Sequence, residues 1–180
     1  MRNKSYTLPA LIIKRKNVGE TDRIVTLLAQ EKGKFVAVAK GVRKLNSSKR
    51  AFMEPGNIVK AHFIKTKSLP LLIQAKLIHD SSRAKTKLAR IRQLTQILEI
   101  YDKLFVEQEI EKDLFELILE IRLNVINHNA STMNIQKKLN RLILALGFPP
   151  ADLHKHGSIL EYVSQLTERS MKSFDFLQIK

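Results

Sequence analysis

The sequence predicts an α+β fold: a five-stranded, OB-fold-like β-barrel over residues 1–80, followed by an all-α helical domain over residues 81–180. Three observations predict it. The apolar period is two as far as about His79 and turns helical from Ser81 onward. Five short strands fit into the first 80 residues with no helical period between them, enough to close a small barrel and so cover its edges. The charge also divides there: residues 1–80 carry 17 basic and 5 acidic side chains, net +12, and the remainder carries only +3 of the total +15.

The strands follow in order. Leu8–Lys16 is short, apolar and β-branched, and Arg23–Gln30, with Ile24, Val25, Leu27 and Leu28, is similar. Glu31-Lys32-Gly33-Lys34 reads as a hairpin turn, with Gly33 at a positive φ that a side chain would resist. Phe35–Ala39 is the return strand. Asn57–Thr66 and Leu71–His79 alternate clearly. Val59, Ala61 and Phe63 oppose Lys60 and His62, and Leu71, Ile73, Ala75 and Leu77 oppose Gln74 and Lys76.

The helical half has three long periodic segments. Leu88, Ile91, Leu94, Leu98, Tyr101 and Phe105 mark one face of the first, and Ile110, Leu114, Leu117, Ile118 and Ile121 mark the second. Ser131 or Thr132 caps a third, which carries Ile135, Leu139, Leu142, Ile143 and Leu146. Gly147-Phe148-Pro149-Pro150 stops it, because the glycine suits a left-handed cap and the prolines cannot continue a helix. Ser158 with Glu161 forms a capping pattern before Ile159, Val163 and Leu166.

Composition narrows the function. With no cysteine there are no disulfides and no thiolate zinc sites, which fits a reducing compartment. The first residues lack the apolar core of a signal peptide, and no apolar run is long enough to span a bilayer. The basic half contains no amphipathic helix with a large apolar face, so a membrane partner is disfavoured and a polyanion is expected instead. No P-loop frame, nucleophile elbow or cysteine nucleophile occurs, so neither an enzyme nor a cofactor is expected. Asp152, His154 and His156 are a weak metal triad beside Lys155, and no metal is expected there.

The most informative stretch is Lys40–Arg50, with Lys40, Arg43, Lys44, Lys49 and Arg50 and no acid between them. A cationic connection between strands can follow a phosphate backbone without reading bases. Arg15, Lys60 and Lys76 on the strands are expected to help. Arg83, Lys87 and Arg90, spaced i, i+4, i+7, place further cations where they oppose the helix dipole, an arrangement that an anion would relieve. Aromatic side chains are scarce in the basic half, so backbone contacts are expected to dominate base stacking. If about five phosphates are neutralised, the log–log salt slope is about −3.5 for single strands.

Three segments in order, Gly19-Glu20-Thr21-Asp22-Arg23-Ile24-Val25-Thr26-Leu27-Leu28, Gly33–Lys44 and Glu54-Pro55, resemble the RecO family of bacterial DNA repair proteins. The Leu146–Pro150 stop and the closing Arg169–Phe174 segment are similar in outline. The resemblance implies a barrel that binds single- and double-stranded DNA, anneals complementary strands, and works with RecR to load RecA. It implies a bacterial cytoplasmic, nucleoid-associated location. It also implies docking of the acidic C-terminal tail of single-stranded-DNA-binding protein on the helical half, where Lys137, Lys138 and Arg141 beside Leu142 offer cations around an apolar spot. Many members carry a four-cysteine zinc module after the glycine-proline stop; this chain has no cysteine, so the resemblance comes without zinc. Charge and fold alone also suit an RNA-binding or ribosome-associated OB module, or an adaptor for an acidic protein.

Overall fold

The computed structural model describes residues 5–44, 46–47, 50–127 and 131–173, without the side chains of 153 and 154. The described chain forms two compact units, Met1–Ser81 with Phe105–Ile110, and Ser82–Leu104 with Glu111–Lys180.

The first unit is a barrel of β1 (Ser5–Val18), β2 (Asp22–Ala29), β3 (Gly33–Ala39), β4 (Ile58–Ile64) and β5 (Leu71–His79), closed in the order β1-β2-β3-β5-β4. β1 is long because it serves two neighbours. Its first half pairs antiparallel with β4 (Ser5↔Ile64 to Leu11↔Ile58), and its second half pairs with β2 (Leu11↔Leu28 to Val18↔Asp22). A shift in register between Ile12 and Lys14 leaves Ile13 unmatched, the bulge that lets a strand bend from one partner to the next. Closure is completed by one parallel contact, Val38↔Leu71, with the Val38 amide donating to Pro70 O at 2.9 Å.

Size alternation fills the interior. Ala10, Ala29, Ala37, Ala39 and Ala61 leave room for Phe35 and Phe63, while Leu8, Ile12, Val25, Leu27, Val59 and Leu72 fill the remainder. Small and large side chains alternate in this way where a narrow barrel tapers. Val42 and Met53, from the β3–β4 connection, join the same core. Asn57 ties the exit strand down: its Oδ1 accepts from Ser81 N at 2.9 Å and from Ser81 Oγ at 2.7 Å.

β4 alternates as its sequence predicts, but β5 does not. Leu72 points into the core, whereas Ile73 and Gln74 are both exposed. The register jumps from Phe63↔Leu72 to His62↔Gln74, so Ile73 is an extra residue on the β5 side. This bulge reverses the faces, and the sequence reading of Leu71 and Ile73 as inward-facing is corrected accordingly.

Gly33 does have a positive φ, of 66°. It has a second constraint. A Cβ built there would lie 2.4 Å from Val106 O and 2.1 Å from Gln108 O, because residues 105–110 return to lie against the β2–β3 turn. Lys34 N donates to Val106 O and Ile110 N donates to Gln30 O, both at 2.8 Å.

The second unit begins with a short 3-10 turn at Ser82–Thr86 and contains α1 (Leu88–Leu104), α2 (Lys112–Asn127), α3 (Thr132–Ala145), the single turn α4 (Leu153–His156) and α5 (Ile159–Thr167). Its core draws on Leu94, Ile97, Leu98 and Tyr101 from α1, Ile118, Ile121 and Val125 from α2, and Ile135, Leu139, Leu142 and Ile143 from α3. Tyr101 donates its hydroxyl to Ile118 O at 3.0 Å. Leu88 and Ile91, read from the sequence as inward-facing, are exposed; the buried face starts one turn later, at Leu94.

The end signals behave as their chemistry requires. Ser131 accepts from Asn134 N at 3.3 Å, and Ser158 from Glu161 N at 3.1 Å. At the end of α3, Phe148 N donates to Ile143 O and Gly147 N to Leu144 O, with Gly147 at φ 85°. Those two bonds are the paired pattern of a glycine-terminated helix.

Candidate nucleic-acid interface

Arg15 of β1 and the described cations of the β3–β4 connection lie near the start of β2, about Asp22 and Arg23. The connection is stapled to that turn at its start: Arg43 N donates to Thr21 O at 2.9 Å and Gly41 N donates to Asp22 Oδ1 at 2.8 Å. Arg43 also reaches Gly19 O through its guanidinium at 3.0 Å. Lys44 N bonds to Gly41 O at 3.2 Å and Arg50 N to Ser47 O at 3.1 Å. These contacts hold Lys40, Arg43 and Lys44 beside the β1–β2 turn. Lys49, also expected to bind, lies outside the described residues.

Electrostatics record the convergence. The Gly41 amide, then the Thr21 hydroxyl, then Lys40 and Lys44, hold the Asp22 carboxyl below its ordinary range. Arg23 is 8% exposed, and burial followed by the repulsion of Arg15, Arg43 and Arg50 lowers its pKa, with Glu54 acting in the opposite sense. Two adjacent residues of β2 thus feel five of the expected cations: Lys40 and Lys44 act on Asp22, and Arg15, Arg43 and Arg50 act on Arg23.

Sequence reasoning missed Arg23. It stands opposite Asn17 in the β1–β2 register, on the inward side of its strand, and closes the end of the barrel. Its Nε donates to Asn17 Oδ1 at 3.1 Å, and its guanidinium lies 3.6 Å from Glu54 Oε1. Arg15 forms an ion pair with the same Glu54 oxygen, so Arg15 is partly neutralised and is not equivalent to the loop cations. A signal existed in the alternation Arg23, Val25, Leu27, which places the arginine on the core face.

Lys60 and Lys76 are direct cross-strand partners on the outer face of β4 and β5, and both are exposed. With Thr7, His62 and Gln74 they line an open cleft of about 500 Å³. Thr7 Oγ1 and His62 Nδ1 lie 2.8 Å apart. Like charges placed directly opposite one another destabilise a strand pair, and an anion between them removes that repulsion.

The three helical-half cations do not form the predicted face. Arg83 sits in the 3-10 turn and Lys87 just before α1, so only Arg90 is in the helix. Arg90 is half-buried and points to Ile126 O at 3.4 Å, so its guanidinium is turned toward α2. The spacing argument assumed one continuous α-helix, and the change of helix type undoes it.

The tail-docking site is also corrected. Leu142 is fully buried in the helical core and offers no accessible apolar floor. Lys138 pairs with Glu120 at 2.7 Å, while Lys137 and Arg141 are exposed. His156 Nδ1 lies 2.9 Å from Gln165 Oε1, and its ring rests on Tyr162. The His154 side chain lies outside the described residues. Among the described residues no three His, Asp or Glu side chains are placed to hold a metal ion, and no helix is long and apolar enough to cross a membrane.

The sequence of this chain is similar to that of known proteins. The family model described as "Recombination protein O N terminal" matches residues 1–80. The DNA repair protein RecO of Syntrophomonas wolfei is 30% identical over 142 residues, covering 78% of this chain and 56% of the relative. The protein of the same name from Salinibacter ruber is 31% identical over 146 residues, covering 79% and 56%, and that of Roseiflexus is 30% identical over 151 residues, covering 83% and 53%. The chain therefore spans about half the length of these curated relatives. The matched N-terminal region and identity of about 30% extending into the helices together place this chain in the RecO family.

Proposed function

We infer that the chain takes part in DNA repair by recombination, and that its barrel end holds DNA by the phosphates. The observation that carries this reading is the convergence of Arg15, Lys40, Arg43, Lys44 and Arg50 on Asp22 and Arg23. Asp22 and Glu54 are the carboxylates set among them, with Glu20 on the adjoining turn, so the end stays cationic. Such a surface suits single and double strands alike. Annealing needs two mutually repelling strands brought together with their base edges free, and cations that touch only phosphates do this. The Lys60–Lys76 pair extends the same chemistry onto the β4–β5 face.

In the cell this activity serves strand annealing and, with RecR, the loading of RecA on strands coated by single-stranded-DNA-binding protein. The test is annealing of complementary oligonucleotides by the purified chain, beside binding to DNA and RNA of matched sequence. Arg43→Glu with Lys44→Glu abolishes annealing if the reading is right. Unchanged annealing in that variant refutes the assignment of the site, and RNA bound in preference to DNA refutes the repair reading. Capture of purified RecR by the chain tests the partner separately.

A further inference from the structure

The other end of the β2–β3 hairpin carries a second site of different chemistry. The register runs from Arg23↔Ala39 at the arginine end to Ala29↔Gly33 at the turn, and beside that turn opens a cleft of about 400 Å³. Tyr6, Lys34, Phe35, Lys65, Leu69 and Glu107 are among its walls. The size falls in the range of about 300–1,000 Å³ usual for sites that hold small ligands.

We propose that this cleft holds one unstacked base of a single-stranded nucleic acid on the Tyr6 ring, with the neighbouring phosphates on Lys34 and Lys65. Three observations favour a nucleotide. Tyr6 is partly buried against the barrel core and stacks on Phe63 at 5.2 Å and 20°, which uses one face of its ring and fixes its plane. Phe63 in turn is braced edge-on by Phe35 at 5.4 Å. Lys65 Nζ and Lys32 Nζ stand 5.8 and 5.9 Å from the Tyr6 centroid. That is the outer limit of about 6 Å for a useful cation–π contact; Lys32 is held by an ion pair with Glu107 on the cleft wall, so the arriving phosphate is met by Lys65 and Lys34. The Tyr6 hydroxyl is buried and finds no hydrogen-bond partner, a state in which native proteins leave few polar groups.

Flat aromatic surface beside lysines is what a base joined to a phosphate requires. A duplex keeps its bases paired and stacked and cannot offer one without being opened. The arginine end binds either form, and the Tyr6 cleft adds affinity only for single strands. This inference rests on the phosphate-binding reading above.

The test uses the full chain, an oligonucleotide carrying 2-aminopurine, and a duplex of the same length. Tyr6→Leu is expected to weaken single-strand binding about tenfold, the usual loss for one stacked base, and to leave duplex binding unchanged. Tyr6→Phe keeps the ring and keeps the affinity. Lys65→Gln, at an exposed position, lowers single-strand affinity in the same direction. The wild type and Tyr6→Phe quench 2-aminopurine; Tyr6→Leu does not. Equal loss on both substrates, quenching that survives Tyr6→Leu, or displacement of the probe by an acidic peptide and not by a nucleotide overturns the cleft assignment and leaves the arginine end standing. A wild type that binds neither polymer at low salt overturns the phosphate reading itself.

Discussion

The loop cations lend themselves to a counting experiment. Lys40, Arg43, Lys44 and Arg50 line the β3–β4 connection, whereas Arg15 is held by Glu54. Among the described residues, these four cations, each neutralising one phosphate, give a log–log salt slope of about −2.8 on single strands and about −3.6 on duplex. Raising salt from 50 to 200 mM then weakens single-strand binding about 50-fold. Lys40→Gln with Lys44→Gln removes two of the four at exposed positions, away from the anchoring bonds of Arg43. The single-strand slope falls to about −1.4, and the same salt step costs only about sevenfold. Glu54→Gln has the opposite sign. It releases Arg15 and steepens the slope to about −3.5. Fluorescence anisotropy over a salt series with one labelled oligonucleotide measures all three proteins. A double variant whose slope matches wild type would falsify the loop as the phosphate-binding element, whatever its affinity at a single salt concentration.

Two further predictions concern the scaffold. Gly33→Ala places a methyl group against Val106 O and Gln108 O at a left-handed φ. The backbone term of about 1–2 kcal/mol and the two hydrogen bonds to residues 106 and 110, at about 1 kcal/mol each, sum to about 3–4 kcal/mol. The urea midpoint therefore falls by about 1.5 M, and amide exchange at Lys34 and Ile110 accelerates; an unchanged midpoint refutes the close approach. Glu99 is lowered below its ordinary value of 4.5: burial opposes ionisation, but Ser173 and the Lys172 and Ser173 amides outweigh it. A depressed folded pKa stabilises above the unfolded carboxylate range and is lost as pH falls through the folded value. Glu99→Gln therefore flattens the loss of stability of the helical unit below pH 4.5, and an acid-unfolding curve identical to wild type contradicts the bridge.

Local signals were readable where the cause is local. The alternation of β4, the caps at Ser131 and Ser158 and the glycine stop at Gly147 each depend on residues within one turn. What escaped depends on distant partners. The β5 bulge at Ile73 exists because β4 and β5 must stay in register around a bending barrel, and nothing in Leu71–Leu77 marks the slip. Gly33 reads as a turn glycine, but the residues that would meet its Cβ are more than 70 positions away. At the site, the cationic run in the connection was plain, since five like charges without an acid between them stand out in the sequence. Arg23 was less plain: alternation puts it on the core face, but its role at the barrel end shows only once Asn17, Met53 and Glu54 are placed around it. Leu142 was misread for the converse reason: periodicity marks an apolar residue without saying whether it serves core or pocket.

The return of residues 105–110 to the β2–β3 turn has a consequence for how the chain is made. During synthesis the last barrel strand leaves the ribosome some 30 residues before Ile110 does. Until then the Gln30 carbonyl and the Lys34 amide have no peptide partner from that segment, and Gly33 presents bare backbone to solvent. α1 must be threaded out and back before the turn is sealed, so the two units are interleaved in sequence, not strung end to end. A fragment cut at Ser81 would consequently carry every strand and still lack its latch.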